Sequence, residues 1–458
     1  MKHLNSLFCV VTSVMAGFAS ADTLIVPDDF ASIQSAIDVA IEGDIVSINE
    51  GIYYESIDFL GKAITVTSSS GQPQGTYIDG NVSSGSVVTF SMGEGEGSVL
   101  EALTIRNGTD QDGGGIYIYG SSPTIRNCIV SGNNAKRFGG GIYIDDGSAI
   151  IESSTFRANE SVNVGGGLYM RSSSASITDS VFENNQGASG GGLYVKDTSA
   201  EVVLTAVTVE GNEGANGGGI YNKNSSITVQ DSTFASNDAT KGGAWFSYLN
   251  GDAEITNTIF LENTATAEGG AANIRSSSTV TFTDCTFDTN IADSDCDGSG
   301  GSGAIEIASS TVTLEDPIIC VNLVCDMVED FSGSEPTIIG DIVGCSTGLG
   351  ACCGGDACWE MDYSACLDGG GVFGGEDTVC EMVECYGIDS GACCLGNLCI
   401  IAANETACLD ASGIFQGSQV MCDDEAVECV GCPADLNGDG SVEVNDVIEV
   451  ISAWGACP

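Results

Sequence analysis

A glycine triplet that returns at a near-constant interval constrains this chain more than any other feature. Gly-Gly-Gly or Gly-Gly-Ala begins at Gly113, Gly139, Gly165, Gly190, Gly217, Gly242 and Gly269, opening units of some 26 residues, and a looser copy starts near Gly301. Seventeen to nineteen residues after each triplet comes a large apolar residue followed by x-x-Asn: Val130/Asn133, Phe156/Asn159, Phe182/Asn185, Val209/Asn212, Phe234/Asn237, Phe260/Asn263 and Phe287/Asn290. A fixed period of this length is the signature of a solenoid, in which no unit can bury its apolar face alone. The fold class expected is all-β: stacked coils of parallel strands.

The strand after each triplet alternates with period 2. Counting the first glycine as zero, position +3 (Ile116, Ile142, Leu168, Leu193, Ile220, Trp245, Ala272) and position +5 (Ile118, Ile144, Met170, Val195, Asn222, Ser247, Ile274) are mostly aliphatic and should point inward. The offset positions should face out. Position +4 is Tyr117, Tyr143, Tyr169, Tyr194, Tyr221, Phe246 and Asn273, and position +6 is Tyr119, Asp145, Arg171, Lys196, Lys223, Tyr248 and Arg275. With stacked strands ~4.8 Å apart, these residues form a tyrosine column beside a basic one. The repeated asparagine fits an internal ladder of side-chain amides at a turn better than a ligand role.

Composition sharpens the meaning of the basic column. The formal charge is −52, and no Lys or Arg follows Arg275, whereas 33 carboxylates do. Phosphate recognition needs basic clusters, so nucleic acid and anionic membranes are not the expected partners. Four of the 11 basic residues beyond the leader nevertheless share position +6.

The first 21 residues, with Lys2, an apolar run and Ala19-Ser20-Ala21, have the form of a cleavable signal peptide. No later run is long and apolar enough to span a membrane. The leader contains the only histidine, His3, and one of 21 cysteines. Export and the remaining even number of cysteines imply a disulfide framework. The mature start places Ile33, Ala36, Ile37 and Ala40 on one helical face, suited to cover the open end of a strand stack.

Residues 22–318 resemble the right-handed parallel β-helix, or pectin-lyase-like, family. The opening IVPDDFASIQSAIDVAIEGDIVSINEGIYYESI is similar to the usual start of such solenoids, and the GGGIY/GGGLY and FxxN units resemble repeats of polymorphic outer-membrane adhesin passengers. The resemblance implies fold; the scaffold hosts lyases, hydrolases, adhesins and inert stalks.

From residue 319 cysteines dominate. A connecting segment, 319–348, precedes two six-cysteine modules within 349–430, spanning 349–385 and 391–429 and aligning at an offset of 41 residues. They resemble Cys-rich repeats near the C-termini of secreted bacterial proteins. Their small apolar content calls for disulfides, and six cysteines allow 15 pairings. The tail, 431–458, carries Asp435, Asn437, Asp439, Ser441, Glu443 and Asp446 at the ligand positions of an EF-hand loop, with Gly440 at its sharp turn. Oxygen ligands at this spacing predict Ca2+ binding. Asp at the last position resembles dockerin-type loops, but a dockerin presents two loops in tandem to a cohesin. Only one is present, which leaves a cohesin partner doubtful.

Three functions follow as expectations. The first is a secreted, non-catalytic β-helix binding a polysaccharide or surface glycan through Tyr117, Tyr143, Tyr169, Tyr194 and Tyr221, whose ring faces suit sugars, and through Arg171, Lys196, Lys223 and Arg275, which suit sulfate or carboxylate groups. Tyrosine is equally a good strand residue that stacks on its neighbours. The second is a polysaccharide lyase or glycoside hydrolase, for which Asp145 beside Arg171 supplies an acid next to a base; catalysis by histidine is excluded once the leader is removed. The third is an adhesin, although the tail has no alternating strands for a membrane barrel.

Overall fold

A computed structural model describes residues 21–339 apart from 82–84, 199, 297–299, 321, 325–326 and 329, and beyond them seven short strands between residues 343 and 415. The leader and the whole loop from Asp435 to Asp446 lie outside the described residues. The chain divides into two units, Met1–Gly344 and Cys345–Pro458.

The first unit is the expected solenoid, a right-handed parallel β-helix. Each regular coil contributes four strands, as in the coil that opens at Gly139. Sheet 1 takes Ile142–Asp145, sheet 2 Ser148–Glu152, sheet 3 Thr155–Arg157 and sheet 4 Glu160–Val164. Stacking builds sheets of 11, 13, 12 and 10 strands respectively. In sheet 1 pairing is parallel and in register, so Tyr143 sits between Tyr117 and Tyr169. The ladders continue past residue 318, where Thr337–Ile339 and Val343–Gly344 still pair in parallel with the coil before.

The apolar positions explain the closure. Ile142 and Ile144 from sheet 1, Ile151 from sheet 2 and Phe156 from sheet 3 are fully buried in one continuous core. The phenylalanines of sheet 3 stack on one another at 4.8 Å for Phe156–Phe182 and 5.1 Å for Phe234–Phe260. At the next turn the asparagines form the expected ladder. The amide of Asn159 donates to Asn185 Oδ1 at 3.0 Å and to the Val130 carbonyl at 2.9 Å, and the Asn159 backbone N–H also donates to Asn185 Oδ1. The same pattern runs on to Asn290 and one coil further, to Asn322. Each buried amide thereby satisfies the backbone groups that the turn leaves open.

Helix α1 (Ile33–Val39) starts at a capping box made by Ser32 and Ser35 and buries Ile33, Ala36 and Ile37 over the first coils. Glu55 accepts the N–H groups of Ile33 and Gln34, and Lys62 donates to the carbonyls of Ile37 and Asp38 at the other end. Both placements complement the helix dipole.

The expected disulfide framework does not take in every cysteine. Cys128 and Cys285 are free thiols buried in the solenoid wall, whereas Cys296 and Cys320 are disulfide-bonded. In the second unit each six-cysteine module supplies a three-stranded antiparallel sheet of the same order. Leu349–Gly354 pairs with Ala357–Asp362 and Val372–Glu376, and Gly391–Leu395 pairs with Leu398–Ala402 and Ile414–Phe415. The 41-residue repeat is thus a repeat of topology as well as of cysteines.

Candidate functional site

The candidate site is the outer side of sheet 1, and its shape depends on the glycine triplet. Gly139 adopts φ +66°, and a Cβ on Gly140 would stand 2.3 Å from the Glu160 carbonyl oxygen. Only glycine permits so close an approach. The triplet therefore turns the chain abruptly from sheet 4 into sheet 1, and two of the residues before a triplet, Phe138 and Val164, pack against the position +4 column.

This alters the expected face in one essential respect. Position +4 points away from the core, as its alternation requires, but it does not lie open. Tyr143, Tyr169, Tyr194, Tyr221 and Phe246 are buried and form a second apolar cluster, with Tyr117, Phe138, Val164 and Tyr248 packed against it. The rings cover one another: centroids are 5.2 Å apart and 3° from parallel for Tyr117–Tyr143, and 4.6 Å and 16° for Tyr194–Tyr221. Phe138, from the end of sheet 4, stacks on Tyr169 at 4.8 Å. Apolar faces that stack on each other are not available to a sugar.

The column is not uniform along its length. Tyr169 retains 3% exposure beneath Phe138, whereas Tyr194 and Tyr221 retain 8% and 9%. In these two coils the residues before the triplet are Ser189 and Asn216, small and polar, joined by a 3.3 Å hydrogen bond. The Tyr143 hydroxyl donates to Asp145 at 3.0 Å, while those of Tyr169, Tyr194 and Tyr221 have no partner among the described residues. Burial raises the tyrosines: Tyr169 and Tyr194 are each pushed up to about 12, so their hydroxyls stay protonated donors across the physiological range.

The basic column is largely neutralised. Arg171 grips the buried Asp145 through both Nε and Nη2, and this hydrogen-bonded charge raises the guanidinium further. The acid and base expected side by side are therefore a closed ion pair. Arg275 is held by Glu268 and by Asn273 Oδ1, and Lys241 also reaches Glu268, at 3.0 Å. Burial pushes Glu268 up, but the Lys241 hydrogen bond and the Arg275 and Lys241 charges outweigh it and leave the carboxyl below its ordinary value. Lys196 pairs with Asp197 at 3.3 Å. A hydrogen bond from Asn224 at 2.9 Å, with the charges of Lys196 and Lys223, holds Asp197 below its ordinary value. Lys223 alone of the four has no carboxylate in ion-pair range among the described residues; its ammonium lies 5.9 Å from the Tyr248 ring centre.

Ser189, Asn216 and Asp197 were not singled out from the sequence. The signal for the first two was present, because the residue preceding each triplet recurs with the same period as the tyrosine. Among the described residues no group of three or more His, Cys, Asp or Glu side chains could hold a metal, and no helix is long and apolar enough to cross a membrane.

With the coils and the column in place, comparison with known proteins agrees on architecture. Residues 161–316 match the model of the right handed beta helix region. No curated protein matches the chain. Among solved structures, pectate lyase Pel9A is 12% identical at a TM-score of 0.38, covering 70% of this chain and 80% of its own. PfbA, a surface adhesin of Streptococcus pneumoniae, is 14% identical at 0.37, covering 71% and 88%. Endo-xylogalacturonan hydrolase from Aspergillus tubingensis is 15% identical at 0.33, covering 70% and 100%.

Proposed function

We propose that this chain is an exported, non-catalytic β-helix that binds an acidic polysaccharide or surface glycan along the middle of the aromatic column. The site is the stretch around Tyr194 and Tyr221, bordered by Ser189 and Asn216 on one side and Lys196 and Lys223 on the other. Phenol, ammonium and amide groups there offer hydrogen-bond donors to carboxylate or sulfate oxygens. The carrying observation is Lys223, a cation without an ion-pair partner among the described residues, in a chain of net charge −52. Arg171 and Arg275, tied to their own carboxylates, frame the site rather than form it. An extended glycan lying parallel to the solenoid axis meets one coil after another, with the buried rings as a rigid floor that costs little to pre-order.

Calcium enters this reading through the tail. Asp435, Asn437, Asp439, Ser441, Glu443 and Asp446 hold the ion by the spacing of their oxygens, and the loop serves as a calcium-stabilised attachment point. Export rests on the N-terminal leader. A screen of the mature protein against neutral, uronic-acid and sulfated glycans, with calcium and with a chelator, tests both parts. Selective retention on anionic glycans supports the site, and retention on neutral glycans alone refutes it. Isothermal titration of the tail with calcium tests the loop separately.

A further inference from the structure

At the C-terminal end of the aromatic column two repeated positions change character together. Position +4 is a ring in six successive coils, from Tyr117 to Phe246, and then becomes Asn273. The residue before the triplet is Phe138, Val164, Ser189 and Asn216 in the middle coils, and then Lys241 and Glu268. Register in sheet 4 sets Lys241 against Glu268, and register in sheet 1 sets Asn273 against Phe246. An amine, a carboxylate and a carboxamide are thereby brought to one place.

Their contacts converge on a single oxygen. Glu268 Oε2 accepts from Lys241 Nζ at 3.0 Å and from Asn273 Nδ2 at 3.2 Å. Arg275 Nη2 donates to the same oxygen, while Arg275 Nε donates to Asn273 Oδ1 at 2.8 Å. Asn273 is fully buried, and Lys241 and Glu268 are half-buried. An ion pair needs only opposite charges. Here a buried carboxamide is also held by both ends, its nitrogen on the carboxylate and its oxygen on the guanidinium. A cation on the carbonyl oxygen polarises the acyl carbon for attack and awaits the charge that attack would create. The amine that could attack rests on the oxygen that also touches the leaving nitrogen.

We infer that Lys241 and Asn273 become joined by an isopeptide bond that the chain forms on itself, with Glu268 as the proton carrier and Arg275 as the oxyanion donor. The Lys241 ammonium gives a proton to Glu268, a transfer that the neighbouring Arg275 charge favours because two cations share one carboxylate. The freed amine adds to Cγ of Asn273, and Arg275 Nε holds the negative charge that develops on Oδ1. Glu268 passes its proton to Nδ2, the Cγ–Nδ2 bond breaks, and the nitrogen leaves as ammonia. The extra proton on the new amide nitrogen follows through the same oxygen, so one ammonium ion is released and no other reactant is consumed. The product ties neighbouring coils together where the aromatic column stops. Neither Lys196 nor Lys223 takes part, so the inference stands or falls separately from the glycan site.

The test is mass spectrometry of the full-length protein after unfolding, reduction, alkylation and digestion at glutamates. A peptide pair joined through Lys241 and Asn273 is expected, lighter than the sum of its parts by one ammonia and resistant to reduction, unlike a disulfide. Glu268→Gln keeps the size of the side chain and removes the proton carrier, so both peptides should appear unlinked; circular dichroism checks that this variant folds. Lys241→Arg keeps a cation for Glu268 and should also lack the pair. Should Glu268→Gln not fold, the native digest and Lys241→Arg still decide. Unlinked Lys241 and Asn273 peptides alone from the native chain, a link from Lys241 to any other residue, or a full yield of linked peptide from folded Glu268→Gln overturns the inference.

Discussion

The solenoid carries two stacks with the same pitch, one inside its wall and one outside, and they serve different ends. The inner stack joins the sheet 3 phenylalanines to the asparagine ladder, and every member is sealed from water. The outer stack is built of tyrosines that are nearly as buried, yet the hydroxyls of Tyr169, Tyr194 and Tyr221 have no partner among the described residues and its flanks carry charge. Equivalent residues in stacked coils must meet, so any ring repeated with the period becomes a stack. What distinguishes the two is the group at the edge of each ring. Methine edges close the inner stack, and phenol groups leave the outer one with chemistry to offer.

If that contrast is right, the inner stack governs stability and the outer one governs binding. The largest effect on unfolding is expected from Asn185→Ala. It strips Asn159 of the acceptor for its backbone and side-chain N–H groups and leaves the Phe156 carbonyl without its amide donor. Each buried orphan costs about 1–3 kcal/mol, so denaturant unfolding should show a loss of several kcal/mol in all. The outer counterpart, Tyr194→Leu, keeps most of the apolar burial and forfeits stacking worth about 1 kcal/mol. Equal losses in the two variants would erase the distinction.

Alkaline titration separates the stacks more gently. Tyr169 and Tyr194 release their protons at about 12 when folded, against 10 for an unburied tyrosine. Their folded values are raised, so their contribution to stability is complete below pH 10 and is lost as the pH climbs from 10 towards 12. Tyrosinate absorbance should therefore rise late and together with unfolding. A full tyrosinate signal near pH 10 with the fold intact would show the column to be open to water.

The smallest effect concerns the buried thiols. Burial pushes Cys128 and Cys285 up to about 12, so neither carries appreciable thiolate at neutral pH. A thiol reagent should leave both unmodified in the native protein and label both after denaturation. Rapid native labelling of either would mean that the wall opens at the turn between sheets 2 and 3.

Much of this was legible in the sequence, for a physical reason. A period of some 26 residues fixes which side chains become neighbours, so the inward columns, the amide ladder and the cap helix at Ile33–Val39 could all be read directly. The cover over the tyrosines could not. Alternation says which way Tyr169 points, but Phe138 covers it from sheet 4, a strand between the asparagine and the next triplet that carries no strong apolar signal of its own. Pairing of charges was equally hidden: Arg171 and Asp145 are 26 residues apart in sequence and one strand apart in space.

The central claim is that the middle of the outer stack binds anionic glycan through Lys196 and Lys223. It is tested most directly by titrating a sulfated or uronic-acid oligosaccharide, taken from the retained glycans, into three forms of the protein. These are the native chain, the double variant Lys196→Gln/Lys223→Gln, and Lys136→Gln, an exposed lysine on sheet 4 away from the site. Loss of charge-assisted hydrogen bonds should weaken binding to the double variant about tenfold or more, with Lys136→Gln unchanged. Undiminished binding to the double variant, or an equal loss in Lys136→Gln, would contradict it.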